Sequence, residues 1–150
     1  MIAKGTIVTK IITDDDSLKE ALNIRKKVFV EEQGVSEELE YDKYDNLNNR
    51  QCEHILVYFN ETPVGTGRLK IVDGIGKLER ICVLKPYRKF NIGREIMSAL
   101  EDLAKSKGIS KVKLHAQKHA EGFYKKLGYQ TSSDVFMEAG IPHILMIKEL

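Results

Sequence analysis

Apolar positions follow two rhythms in this chain, short runs rich in β-branched residues and longer stretches with spacings of three and four, and the segment from Lys77 to Leu103 contains both in succession. Leu78, Ile81, Cys82, Val83 and Leu84 crowd together as in a strand covered on both faces, which Pro86 should end. Ile92, Ile96, Ala99, Leu100 and Leu103 then recur at helical spacing and form one stripe that must pack on a sheet. Arg88, Lys89, Asn91 and Gly93 fall at the strand-to-helix turn, where the first N–H groups of a helix lack internal partners and attract an anion.

The same reading extends along the chain. Thr6 to Ile12 predicts a first strand. Asp14 to Asp16 and Ser17 supply a helix cap and an acidic first turn, with Leu18, Ala21, Leu22, Arg25 and Val28 or Phe29 continuing the helix to near Gly34. Val35 to Gln51, rich in acids and Asn with Tyr41 and Tyr44 interleaved, predicts a short helix and a functional loop. Glu53 to Phe59 and Thr62 to Val72 predict a hairpin around Asn60-Glu61-Thr62-Pro63, and Asp73-Gly74 turns into the strand from Lys77 to Lys85. A helix from Asn91 to about Lys107 closes at Gly108, a strand spans Val112 to Ala116, and a helix from His119 to Leu127 closes at Gly128. Strands over Val135 to Glu138 and Ile144 to Ile147, with a turn at Gly140-Ile141-Pro142, end the pattern. This order predicts a mixed α/β fold, antiparallel in its front half and built as a single domain over 1–150.

Charge narrows the function classes. With 24 lysines and arginines against 22 acids, a net of +2, there is no bulk electrostatic case for nucleic acid or membrane. Basic residues cluster at Lys85, Arg88, Lys89 and Arg94 and again from Lys111 to Lys126, while acids gather from Glu31 to Asp45. A basic half facing a phosphorylated nucleotide and an acidic segment facing a cationic substrate would divide the charge this way, as would solvated helix faces. Cys52 and Cys82 lack metal or redox spacing, and Cys82 reads as a core residue. The four histidines show no metal-ligand spacing, so no metal is expected; His115, in a strand, reads as a satisfied structural residue. The N-terminal stretch lacks the long apolar segment of a secretory signal and no apolar run reaches 18 residues, which makes the cytoplasm the expected location.

Neither a Walker loop nor a dinucleotide fingerprint occurs at the anion turn. Glu79 to Val83 followed by Arg88-Lys89-Phe90-Asn91-Ile92-Gly93 resembles the acyl-CoA signature of the GNAT (Gcn-five-related N-acetyltransferase) superfamily, a strand ending E-x-x-x-V and then R-x-x-G-x-G/A, with Asn91 in place of the first glycine. Asn tolerates a left-handed backbone, so the turn can still form, but its side chain crowds the pyrophosphate. Phe123-Tyr124-Lys125-Lys126-Leu127-Gly128-Tyr129 is similar to a stretch late in the same superfamily, and Arg25 to Gln33 together with Glu138 to His143 resembles its bacterial ElaA-like branch.

The resemblance implies a mostly antiparallel GNAT sheet flanked by helices, and an N-acetyltransferase moving acetyl from acetyl-CoA to a small-molecule or peptide amine by direct attack in a ternary complex. It implies that Ile81, Cys82 and Val83 pair with the pantetheine arm, that Arg88, Lys89, Phe90, Asn91, Ile92, Gly93 and Arg94 hold the pyrophosphate, and that Lys126 meets the 3′-phosphate. Glu79 is the candidate general base, with an ion pair to Arg68 as its alternative role, and Tyr124 the candidate donor to the departing thiol. Glu31, Gln33, Arg68 and His143 are candidates for the acceptor pocket, and a homodimer through the terminal strands is consistent with the superfamily. The alternatives are a CoA-binding sensor without turnover and an anion-binding interaction module.

Overall fold

In the computed structural model, which describes residues 5–150, one eight-stranded sheet organises the chain. The strands are β1 (Ile7–Ile11), β2 (Cys52–Phe59), β3 (Thr62–Val72), β4 (Ile75–Val83), β5 (Lys111–Gln117), β6 (Gln130–Thr131), β7 (Phe136–Glu138) and β8 (Ile141–Glu149). Their order is β1-β2-β3-β4-β5-β8-β6, with β7 also paired to β8, and β4–β5 is the parallel contact in an otherwise antiparallel sheet. The helices are α1 (Asp15–Arg25), α2 (Glu37–Glu40), α3 (Ile92–Ser106) and α4 (Glu121–Lys126).

Local chemistry explains the corners. Asp14 caps α1 by accepting from the Ser17 N–H at 2.7 Å. The pairs Asn60-Glu61, Asp73-Gly74 and Ala139-Gly140 all have positive φ and close two-residue hairpins whose twist suits the flanking strands. The last of these places the turn before Ile141, so Ile141 and Pro142 open β8 instead of forming the turn that the sequence predicts. Beyond Arg25 the helix expected to run to Gly34 widens into a π-helix over Lys26–Glu32, a rare arrangement that is frequent at functional sites.

Two apolar layers cover the sheet. On one face Ile92, Ile96, Met97, Leu100 and Leu103 of α3 pack on Ile55, Val57, Leu69, Leu78 and Val83. Gly65 and Gly67 allow that approach, since a Cβ there would lie 2.9 Å from methyl groups of Ile92 and Ile96. On the other face Leu18, Ala21, Ile24 and Val28 pack on Leu56 and Cys82.

Strand β4 departs from simple alternation. The register against β3 shifts between Thr66 and Arg68, and opposite that shift Arg80 adopts φ 58°, a β-bulge. Alternation would set Glu79 on the face of Ile81 and Val83. The bulge puts it on the other one: Leu78, Ile81 and Val83 meet the α3 layer, while Glu79, Arg80 and Cys82 face α1 and the loop after it.

Candidate active site

The parallel ladder between β4 and β5 covers only Gly76 to Leu78 against Val112 to Leu114, although β4 continues to Val83 and β5 to Gln117. The strands part there, and a cleft of about 920 Å³ occupies the gap. From Glu79 onward the β5-facing edge of β4 has no strand partner among the described residues, which leaves main-chain polar groups there without a sheet partner, although the Val83 carbonyl accepts from Arg88. That edge leads through a 3₁₀ turn over Lys85–Phe90 into the N-terminus of α3.

Asn91 joins the two elements at φ 62°, ψ 22°, the left-handed conformation where the superfamily pattern has glycine. Its side chain makes no capping bond and lines the cleft. The N–H groups of Ile92, Gly93 and Arg94 follow in the first turn, an end of a helix whose unpaired donors favour an anion. Gly93 keeps it open beside α4, because a Cβ there would sit 3.3 Å from the Phe123 ring.

The structure gathers many of the predicted residues around this cleft: Glu79, Ile81, Cys82 and Val83 on β4, Arg88, Asn91, Gly93 and Arg94 at the turn, Tyr124 and Lys126 on α4, and also Gln33 and His143. Ile92 is fully buried beneath α3, leaving only its main chain to a ligand. Phe90 stacks on Phe59 at 4.6 Å, with the Lys89 ammonium over the Phe90 ring, and neither lines the cleft. Glu31 lies on the exposed side of the π-helix and does not line the cleft either.

Arg68 is a correction of a different kind. It is 1% exposed and donates five hydrogen bonds to Asp42, Asp45 and Glu79, so its guanidinium is closed to an acceptor. Arg25 is similarly enclosed by Glu40 and Asp45. Acids expected to face a cationic substrate therefore turn inward on two buried arginines.

This network decides the state of Glu79. Arg68 lies at 2.9 Å, Lys77 at 3.0 Å and Lys70 at 3.5 Å from its carboxylate. Burial works against its ionisation, but the charge of Arg68 and then Lys77 outweighs it and holds the carboxyl below its ordinary range. Tyr124 differs: its hydroxyl has no protein partner among the described residues, burial pushes its phenol upward, and it stays a neutral donor at the cleft.

Two side-chain bridges tie the end of the π-helix to the cleft, one to the turn after β4 and one to β5. The Arg88 guanidinium makes paired 2.7 Å hydrogen bonds to Glu32, and its Nε donates to the Val83 carbonyl at 3.0 Å. The Arg88 hydrogen bond lowers the Glu32 carboxyl despite opposing desolvation. Gln33 and Gln117 exchange side-chain amide hydrogen bonds, the shorter at 2.8 Å. At the far end His115 donates from Nδ1 to Glu138 at 2.8 Å, and His143 donates from Nδ1 to the Ile141 carbonyl at 2.7 Å.

His115 and Gln117 lie outside every motif, while Glu32 and Glu138 fall within the ElaA-like stretches without a role assigned to them. A signal for two of them existed, because Val112, Leu114 and Ala116 alternate into the core and so place His115 and Gln117 on the opposite face. That Glu32 lines the cleft is visible only once the π-helix is known, and that Glu138 meets His115 only once the β5-β8-β7 register is known.

Comparison with known proteins places these features in context. A family model described as an acetyltransferase (GNAT) domain matches residues 13–150. The uncharacterized protein YyaT of Bacillus subtilis is 58% identical, over 94% of this chain and 95% of its own length. The uncharacterized N-acetyltransferase YjcF of the same organism is 48% identical, over 93% of this chain and 97% of its own. The crystal structure of Escherichia coli ElaA is similar with a TM-score of 0.83 at 28% identity, covering 96% of this chain and all of that one.

Proposed function

This chain belongs to the GNAT acetyltransferase family, and from that premise we propose that it moves an acetyl group from acetyl-CoA to a primary amine by direct attack in a ternary complex. The observation that carries the reading is the early end of the β4–β5 ladder, which joins an unpaired strand edge to an exposed helix N-terminus within one cleft. A pantetheine arm can pair along Ile81 to Val83 as an added strand, with a main-chain N–H there polarising the thioester carbonyl. The N–H groups after Asn91 would hold the pyrophosphate, assisted by Arg94, and Lys126 would meet the 3′-phosphate.

Arg88 reaches that anion only by loosening its pair with Glu32, so pyrophosphate and Glu32 compete for one guanidinium. Tyr124 would donate its phenolic proton toward the departing sulfur. Glu79, ion-paired on three sides, serves in this reading as a fixed charge in the wall, with little capacity to accept a proton.

Titration calorimetry with acetyl-CoA, repeated with Arg88→Ala and with pyrophosphate as competitor, tests coenzyme binding. A thiol-release screen across small amines, amino sugars, polyamines and lysine peptides tests transfer. Saturable binding above that of pyrophosphate, with amine-dependent thiol release, is expected. Binding without release by any amine would leave a coenzyme-binding module and overturn the transferase reading.

A further inference from the structure

We propose that His115, held by Glu138, is the proton acceptor for the incoming amine; the inference rests on the transferase reading and names a base for it. Three observations lead there. Glu79, the base expected from the family pattern, has its carboxylate engaged by Arg68, Lys77 and Lys70. His115 is the first residue of β5 past the last β4–β5 pair, Leu78 with Leu114, and so stands opposite Glu79 where the cleft opens. Its imidazole is also oriented, because a carboxylate can only accept, and the 2.8 Å contact with Glu138 therefore fixes the proton on Nδ1.

With Nδ1 protonated, Nε2 carries the lone pair, and among the described residues it has no protein partner. Phe136 packs edge-on against the ring at 5.1 Å and limits its rotation. A carboxylate on one nitrogen and a free lone pair on the other is the arrangement by which an imidazole takes a proton and has its new charge stabilised. His143 is a weaker candidate. Its Nε2 lies 3.6 Å from Glu138 and its ring is almost wholly buried, whereas His115 is 28% exposed in the cleft.

The chemistry balances as follows. Nε2 of His115 takes one proton from the acceptor ammonium, and the freed nitrogen pair forms the C–N bond to the thioester carbonyl carbon. The C–S bond breaks with its electron pair on sulfur, which takes the Tyr124 proton. The second proton lost by nitrogen restores the phenol through solvent, and the proton on His115 returns to solvent. Ammonium and thioester become amide, thiol and one released proton.

The tautomer is measured first, by long-range ¹H–¹⁵N NMR of the ligand-free protein. His115 is expected as the Nδ1–H form when neutral, and an Nε2–H form overturns the assignment. Turnover is then measured with an amine accepted by the wild type. His115→Ala should lower kcat by roughly 100-fold while leaving acetyl-CoA affinity unchanged, and added imidazole should restore part of the rate. Glu138→Gln, which removes the positioning charge, should lower kcat less than His115→Ala does. A His115→Ala variant with wild-type kcat, or a slow one that imidazole does not rescue, removes His115 from the reaction and leaves the transferase reading standing. A wild type that accepts no amine removes both.

Discussion

Replacing Arg68 with Met tests whether the buried ionic network holds the wall of the cleft. The guanidinium is 1% exposed and makes five hydrogen bonds to three carboxylates, and Met keeps most of its volume. Removing one partner of a buried ion pair costs about 3–5 kcal/mol, because the remaining charge is left unmatched. Here each carboxylate keeps some company: Asp45 retains Arg25, Glu79 retains Lys77 and Lys70, and Asp42 retains Arg80 at 3.5 Å. The low end, about 3 kcal/mol, is therefore expected, equivalent to a fall of about 6–12 °C in Tm for a chain of this length.

Urea unfolding followed by far-UV circular dichroism reads the difference, and pH supplies a second arm. Burial raises the Asp42 carboxyl, but hydrogen bonds and charge from Arg68 bring it to about 2. Glu79 is lowered as well. Folded values below the unfolded ones mean that the contribution is complete above the ordinary carboxylate range, about 4, and is lost as pH falls from there toward the folded values. The gap between wild type and Arg68→Met should narrow over that window. A loss under about 1 kcal/mol at neutral pH, or a gap that does not change with acid, would refute the account of the network.

Tyr124→Phe should leave acetyl-CoA affinity and stability near wild type, since the hydroxyl has no protein partner among the described residues; kcat should fall by about 100-fold, measured as thiol release. Asn91→Gly suits a backbone at φ 62° and removes an amide from the anion seat, so calorimetry should report a lower Kd for acetyl-CoA; an unchanged Kd would show that the amide does not crowd the pyrophosphate. Both thiols should be silent toward Ellman's reagent in the native protein at pH 8 and reactive after guanidinium unfolding. Burial pushes Cys52 to about 12 and Cys82 higher still, and neither should add background to a thiol-release assay.

The sequence was most legible where one rhythm of apolar residues gave way to another. Lys77 to Leu103 announced a strand, an anion turn and an amphipathic helix, and β4 and α3 follow that pattern closely. Periodicity could not reveal the bulge, because Arg80 takes a positive φ without a glycine to mark it, and every facing assignment across it changes. The π-helix was hidden for a related reason: Leu18, Ala21 and Val28 fit ordinary helical spacing, and the wider turns begin only beyond Arg25. Pro142 read as a turn residue, yet the Ala139-Gly140 pair completes the hairpin before it. The acidic run from Glu31 to Asp45 was plain in composition, but its partners lie at Arg25, Arg68 and Arg88, and only tertiary structure pairs them.

Those pairings change what the cleft can select. Around its α1-side wall and the network behind it, Arg25, Arg68, Arg80, Lys70 and Lys77 stand against Glu40, Asp42, Asp45 and Glu79, five positive groups and four negative. A wall so balanced offers a polycation no electrostatic well, whatever the acid content of the segment that builds it. What the network supplies is rigidity, since charges held by several hydrogen bonds each resist rearrangement when water leaves the cleft. Glu138 stands apart from the other carboxylates. Its nearest partner is the His115 imidazole, which keeps its second ring nitrogen free of any protein partner among the described residues, whereas the buried arginines spend their donors on the network. In the proposed transfer, charge on the acceptor would be handled at one point, His115, and discrimination among amines would fall to the shape of the surrounding surface, which Leu39 and Ile141 help to line.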